Sequence, residues 1–266
     1  MQNVVVAKPY RFFPPHRGTL VPSLLLRCVP FYLRKYQGVM KVMCRGVERL
    51  RASIAAGHAI VLAPNHCRPC DPMVIAMLAG EVGRYPYTMA SWHLFMQNRL
   101  QTWLLQRAGV FSIHREGSDR ASLNHAIDLL AEAERMMLLF PEGVISRNND
   151  RLNYLMGGAA IMARAAAQLR ADRSPPGRVV IHPIAIRYFF DGRIEEAVAP
   201  VLEAIEARMT WRPQRELPLI ERVLKVGSAM LALKEIEYFG EAQHLDAPHD
   251  AAIVPALHPL VLERTE

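Results

Sequence analysis

The residues best suited to chemistry lie between positions 64 and 71, Pro-Asn-His-Cys-Arg-Pro-Cys-Asp. His66 and Asp71 have four residues between them, with an apolar run before them (Ala59 to Ala63) and another behind them (Pro72 to Leu78). The first run predicts a buried strand. The second predicts a helix with Asp71 at its N-cap and Pro72 in its first turn. That places the pair on a strand-to-helix turn, where open α/β sheets hold their ligands. An imidazole whose ordinary pKa is about 6.5 can take a proton at neutral pH. An aspartate beside it can fix the tautomer and stabilise the imidazolium. The two residues together make a general base, whereas Asp71 alone would be a helix cap.

The elements that must position this pair alternate along the chain. Helices are expected over 47–56, 72–80, 92–107, 119–134 and 157–170, and strands over 58–63, 87–90, 109–113, 136–140 and 179–188. Strands alternating with helices predict an α/β domain with a mixed, largely parallel sheet flanked by helices. Two further helices, 197–209 and 216–239, separated by Trp211-Arg212-Pro213, follow without strands. The domain plan is therefore an N-terminal segment (1–40), an α/β domain (41–195) and a helical C-terminal extension (196–266).

Composition narrows the classes. The chain has 266 residues, half of them apolar, enough for a sizeable core. It holds no uninterrupted apolar run of eighteen residues, so no ordinary transmembrane helix is expected. No secretory signal is read at the N-terminus, because Pro22, Arg27 and Pro30 interrupt its apolar stretch. Four cysteines in a chain this long do not make a disulfide scaffold, and reduced thiols in the cytosol are expected. Cys67 and Cys70 form a C-x-x-C that could serve redox chemistry or half a zinc site, but nothing completes it, and no metal is expected.

Charge is unevenly spread. Residues 1–60 hold ten lysines and arginines against Glu48 alone, while the whole chain carries +7, so the remainder is slightly acidic. Within residues 20–36 the basic side chains lie among leucines and aromatics rather than on a polar face. That pattern suits the headgroup level of an anionic bilayer better than nucleic acid, and a peripheral position on the inner, cytoplasmic membrane face is expected. A helix capping the core is the other reading of this segment.

Three strand ends carry polar clusters: Asn65-His66 with Asp71, His114-Arg115, and Pro141-Glu142-Gly143 with Ser146-Arg147. A fourth strand carries His182-Pro183. Gathered at one edge of a sheet, a base, two arginines and a carboxylate would suit an anionic substrate bearing a hydroxyl. Arginine grips phosphate with paired hydrogen bonds, and Gly143 lets backbone approach a ligand.

These clusters resemble, in order, the four blocks of the glycerolipid acyltransferases, the lysophosphatidate and glycerol-3-phosphate acyltransferase family. Asn-His-x4-Asp is Asn65 to Asp71, and Gly-x-x-Phe/Ile-x-Arg is similar to Gly109 to Arg115, with one extra residue before the arginine. Phe-Pro-Glu-Gly is intact at Phe140 to Gly143, and the proline-bearing apolar strand looks like Val180 to Ile186. The resemblance implies transfer of a fatty acyl group from a thioester, acyl-coenzyme A or acyl carrier protein, to a hydroxyl of a lysophospholipid or glycerol-phosphate acceptor. No bound cofactor is implied. His66 would be the base and Asp71 its orienting partner. Asn65, Arg115, Glu142, Gly143 and Arg147 would bind the acceptor, and Pro183 would shape the pocket. The third block departs from the family pattern: Val144-Ile145-Ser146-Arg147 stands where Thr-Arg-Ser often follows, which displaces the arginine by two positions. A non-catalytic lipid-binding or scaffolding protein on the same fold is the alternative reading.

Overall fold

The computed structural model describes residues 9–114, 117, 119–172 and 177–241. The chain divides into two compact units at Tyr188/Phe189.

The larger unit is built on a five-stranded sheet of β1 (Ala59–Pro64), β2 (Pro86–Ser91), β3 (Val110–Ile113), β4 (Met136–Leu138) and β5 (Val179–Ile184), in the order β3-β2-β4-β1-β5. Every pairing is parallel, so the expected α/β class holds and the sheet is more uniform than expected. β1 lies inside the sheet between β4 and β5, and its residues read apolar on both faces because both are covered. Ala59 and Val61 face one core with Leu129, Leu130 and Met162. Ile60 and Leu62 face the other, with Leu50, Ile75 and Ala79. This is the period-two alternation of a strand, with each set of side chains buried against its own layer of helices.

The helices are α1 (Leu20–Gln37), α2 (Val47–Ala55), α3 (Asp71–Val82), α4 (Arg99–Ala108), α5 (Arg120–Glu132) and α6 (Gly158–Ala171). The single helix expected over 92–107 is two elements, a 3₁₀ turn over Trp92–Met96 and then α4. Asn98 makes the break: its extended backbone leaves the helix, and its side chain accepts from the Gln101 N–H at 2.7 Å as a new N-cap.

Residues 9–18 form neither helix nor strand and run as a strap along the open edge of β3. Phe13 exchanges bonds with Ser112 through its carbonyl (3.1 Å) and its N–H (2.9 Å). Tyr10 donates to Asp119, and His16 N–H donates to Gln106 O at 2.8 Å. Covering that edge removes a row of unpaired backbone groups. Helix α1 packs on α3 so closely that a Cβ at Gly80 would meet the Leu26 side chain, and Leu33 is buried in that seam.

The smaller unit contains α7 (Ile194–Arg208) and α8 (Leu219–Phe239). Arg222 grips Glu206 with two hydrogen bonds, 3.0 and 2.8 Å, both side chains being buried. That guanidinium, first of all, holds the Glu206 carboxyl below the ordinary range.

Candidate active site

Parallel strands end at one edge, and the order β4-β1-β5 makes three of the predicted clusters neighbours there. β1 runs into Asn65 and His66, β4 into Phe140 to Gly143, and β5 into Ile186 and Tyr188. β3 stands three places from β1, about 14 Å at the usual strand spacing. His114, at the end of β3, stacks on Tyr10 with ring centroids 4.9 Å apart. Arg115 lies outside the described residues.

His66 Nδ1 is 2.8 Å from Asp71 Oδ2. Asp71 is fully buried, while the His66 side chain keeps 16% of its surface exposed. A carboxylate accepts only, so Nδ1 carries the hydrogen and the Nε2 lone pair is left for a substrate. The ring lies on Phe140, centroids 4.0 Å apart and planes 24° from parallel. Asp71 was expected at the N-cap of α3. It is instead the first helical residue, after Cys70, and makes no cap to its own helix. Its Oδ2 also accepts from the Arg68 N–H at 2.9 Å, and its Oδ1 from the Tyr188 hydroxyl at 2.5 Å. The turn between His66 and Asp71 folds the carboxylate back onto the loop, away from the helix axis.

The other predicted residues divide by what they touch. Asn65 behaves as a strand extension: its Oδ1 accepts from the Ile186 N–H (2.6 Å) and its Nδ2 donates to Ile186 O (3.1 Å), tying the end of β1 to the end of β5. Glu142 is buried, and both oxygens accept from backbone, Oε1 from His66 N–H (2.8 Å) and Oε2 from Asn153 N–H (3.0 Å). Gly143 has φ +66, the left-handed turn that lets the chain reverse directly after this carboxylate. Ser146 N–H and Oγ both donate to the His66 carbonyl, at 2.7 and 3.1 Å. Third-block residues thus hold the His66 residue at its N–H and at its carbonyl.

Two recesses flank this loop. One, ≈ 540 Å³, is the more polar of the two and is lined by Cys67, Arg68, Pro69, Arg147, Asn148, Asn149 and Tyr188. The other, a trough of ≈ 680 Å³, is lined by Asn65, Pro141 and Pro183 from the predicted set and by Leu152, Leu155, Ala160 and Ile181 among others. Asn149 borders both. In chain order Asn65 faces the trough and Cys67 and Arg68 face the polar cleft, with His66 between them. Arg147 and Pro183 therefore line different recesses.

Arg68 and Tyr188 are the site residues that sequence reasoning missed. Arg68 occupies a variable position inside the first block, and Tyr188 follows the last block by two residues. The Arg68 guanidinium lies over the Tyr188 ring, 4.8 Å from its centroid, and donates to Gln37 O at 2.8 Å. His182, by contrast, faces away from these residues toward Ser53 Oγ at 2.9 Å, and burial lowers its pKa. The two cysteines of the C-x-x-C are free, buried and directed to different partners. Cys67 Sγ accepts from Asn65 Nδ2 at 3.0 Å, and Cys70 Sγ lies 3.5 Å from the Tyr188 hydroxyl. Burial first, then the nearby Asp71 and Glu142 carboxylates, pushes the Cys67 thiol up to about 11. Among the described residues no group of histidines, cysteines and carboxylates could hold a metal ion.

Comparison with known proteins matches residues 41–187, more than half of the chain, to the family described as Acyltransferase. The chain belongs to that acyltransferase family. It is 35% identical over 107 residues to the 1-acyl-sn-glycerol-3-phosphate acyltransferase of Streptococcus pneumoniae (strain ATCC BAA-255 / R6), covering 40% of this chain and 37% of the relative. The chain thus spans well under half the length of that curated relative.

Proposed function

We propose that the protein moves a fatty acyl group from an acyl thioester to the hydroxyl of a lysophospholipid or glycerol-phosphate acceptor, in phospholipid biosynthesis. His66 is the general base and Asp71 orients it. The observation that carries this reading is the 2.8 Å contact between His66 Nδ1 and the fully buried Asp71, which commits Nδ1 as donor and leaves Nε2 to receive a proton. As the acceptor oxygen bonds to the thioester carbonyl carbon, its proton passes to Nε2. The carbon–sulfur bond then breaks, and the proton leaves with the departing thiolate. A positioned base contributes about 10²- to 10⁴-fold to such a step.

An acyl-cysteine route is disfavoured by the state of Cys67, whose buried thiol at about 11 supplies almost no thiolate. Ser146 is equally unsuited as a nucleophile, because its one hydroxyl hydrogen is shared between the His66 and Asn148 carbonyls and its oxygen accepts from the Asn148 N–H. The polar cleft with Arg68 and Arg147 suits the acceptor's phosphate, and the apolar trough suits a fatty chain. The donor is acyl-coenzyme A or acyl carrier protein. Membrane contact by the exposed apolar side of α1 brings the site to its lipid substrates. No described helix is long and apolar enough to cross a membrane.

The test is release of free thiol from acyl-coenzyme A or acyl carrier protein by the purified chain, with and without a panel of lysolipids and glycerol 3-phosphate, products identified by mass. Acceptor-dependent release is expected, falling by about 10²-fold or more in His66→Ala. Equal rates in a folded His66→Ala variant would overturn the mechanism, and acceptor binding with no transfer would point to a scaffold.

A further inference from the structure

Tyr188 belongs to none of the four sequence blocks, yet it completes the surroundings of Asp71. Oδ2 is shared by the His66 imidazole and the Arg68 N–H, and Oδ1 is met by the Tyr188 hydroxyl at 2.5 Å. A carboxylate held by one oxygen can turn about its last torsion, where aspartate rotamers are broad. Held by both oxygens in a site without exposure, it cannot, and solvent is not at hand to replace a missing donor. Tyr188 is itself fixed from three sides. Its N–H donates to Asn149 Oδ1 (3.0 Å), its carbonyl accepts from Asn149 Nδ2 (2.6 Å), and its ring carries the Arg68 guanidinium.

We propose that Tyr188 is a positioning residue for the dyad, locking the Asp71 carboxylate so that Oδ2 alone meets the imidazole. This rests on His66 being the base. Burial above all, then the hydrogen bonds to Asp71 and Cys70, raises the phenol far above its ordinary pKa, so it stays a donor wherever the enzyme works. A neutral donor on Oδ1 also draws charge from the carboxylate. Without it, Asp71 pulls harder on the Nδ1 hydrogen and His66 becomes a stronger base. Arg68, Asn149 and Tyr188 are walls of the polar cleft, so the group that fixes the dyad adjoins the proposed phosphate site.

The experiment is Tyr188→Phe in the full chain, with kinetics and an NMR titration of the His66 ring. The expected result is kcat about tenfold lower, with both KM values within about twofold. The His66 titration, and the acidic limb of the rate profile, should move to higher pH. In an Asp71→Asn background the same substitution should cost nothing further, because the hydroxyl acts through Asp71. Should Tyr188→Phe fold poorly, 3-fluorotyrosine at position 188 keeps the contact with a stronger donor, and the His66 titration should move to lower pH. An unmoved titration in both variants overturns the proposal, as does a full loss of kcat retained on Asp71→Asn. If the unaltered chain transfers no acyl group, the functional reading fails, while the His66 titration still decides the role of Tyr188.

Discussion

Glu142 is a clasp between His66 and the segment that walls the trough: one oxygen accepts from the His66 N–H at 2.8 Å and the other from the Asn153 N–H at 3.0 Å. The third block therefore reaches His66 through its backbone. Glu142→Gln replaces one acceptor with an N–H₂ group that must face an N–H. It leaves at least one buried amide unpaired, at a cost of about 1–3 kcal/mol. The expected outcome is a lower melting temperature together with a lower kcat. An acceptor ligand at this position would behave otherwise, with a raised acceptor KM and an unchanged melting temperature.

Much of this was legible in the sequence. The apolar runs expected as strands over 58–63 and 136–140 contain β1 and β4 to within a residue or two at their ends, and the motif residues directly behind them had to lie at one edge once the sheet was parallel. The dyad was legible too, because its two members lie on one turn. Missed features depend on partners distant in the chain. Tyr188 reaches Asp71 across 117 positions, with no local pattern to announce it. The Phe13 strap finds Ser112 across 99. The grouping of Asn65 and Glu142 with the acceptor-binding residues followed from family motifs, whereas the hydrogen bonds seen here hold backbone. Spacing cannot distinguish a carboxylate that meets a ligand from one that meets two amides.

Several residues lining the trough are small, including Ala63, Ala160 and Ala185. Filling it should shorten the fatty chain the protein accepts. Ala160 is exposed on the first turn of α6, so Ala160→Trp adds bulk without disturbing the core. Transfer of long chains should fall about tenfold or more, while short-chain substrates keep their rate, as expected for lost apolar contact in a pocket. Assaying donor and acceptor chain length separately identifies which chain lies there. A uniform loss across all lengths would mean the trough holds neither.

Membrane contact by the basic N-terminal part needs a different experiment from truncation. Removing residues 1–36 would strip the strap from β3 and the Leu33 seam from α3 along with any lipid contact, and the fold would suffer. Leu20, Leu24, Phe31 and Tyr36 are exposed on α1, close in sequence to Arg34 and Lys35. Changing those four to serine should leave the melting temperature within a few degrees and sharply reduce sedimentation with anionic liposomes. Raised salt should weaken binding of the unaltered protein, because exposed charges are screened beyond about 8–10 Å at 0.1–0.15 M. Undiminished binding by the four-serine variant would place the lipid contact elsewhere.

Acid should destabilise the larger unit through two partly buried histidines. Burial lowers the pKa of both His125 and His182 below the ordinary 6.5. His125 sits edge-on to Phe12 and Phe111, and its Nε2 is buried with no hydrogen-bond partner among the described residues. Arg17 adds a second, smaller push against its protonation. When the folded-state pKa of a base lies below its unfolded value, the unfolded chain binds more protons as pH falls past the unfolded pKa, and stability declines there. Urea midpoints should therefore hold steady above about pH 7 and fall as the solution is acidified below about 6.5. His125→Phe keeps an aromatic ring between Phe12 and Phe111 while removing the titrating group, so its midpoint should fall less steeply over the same range. A variant that tracks the unaltered protein at every pH would show that His125 contributes nothing to the acid sensitivity.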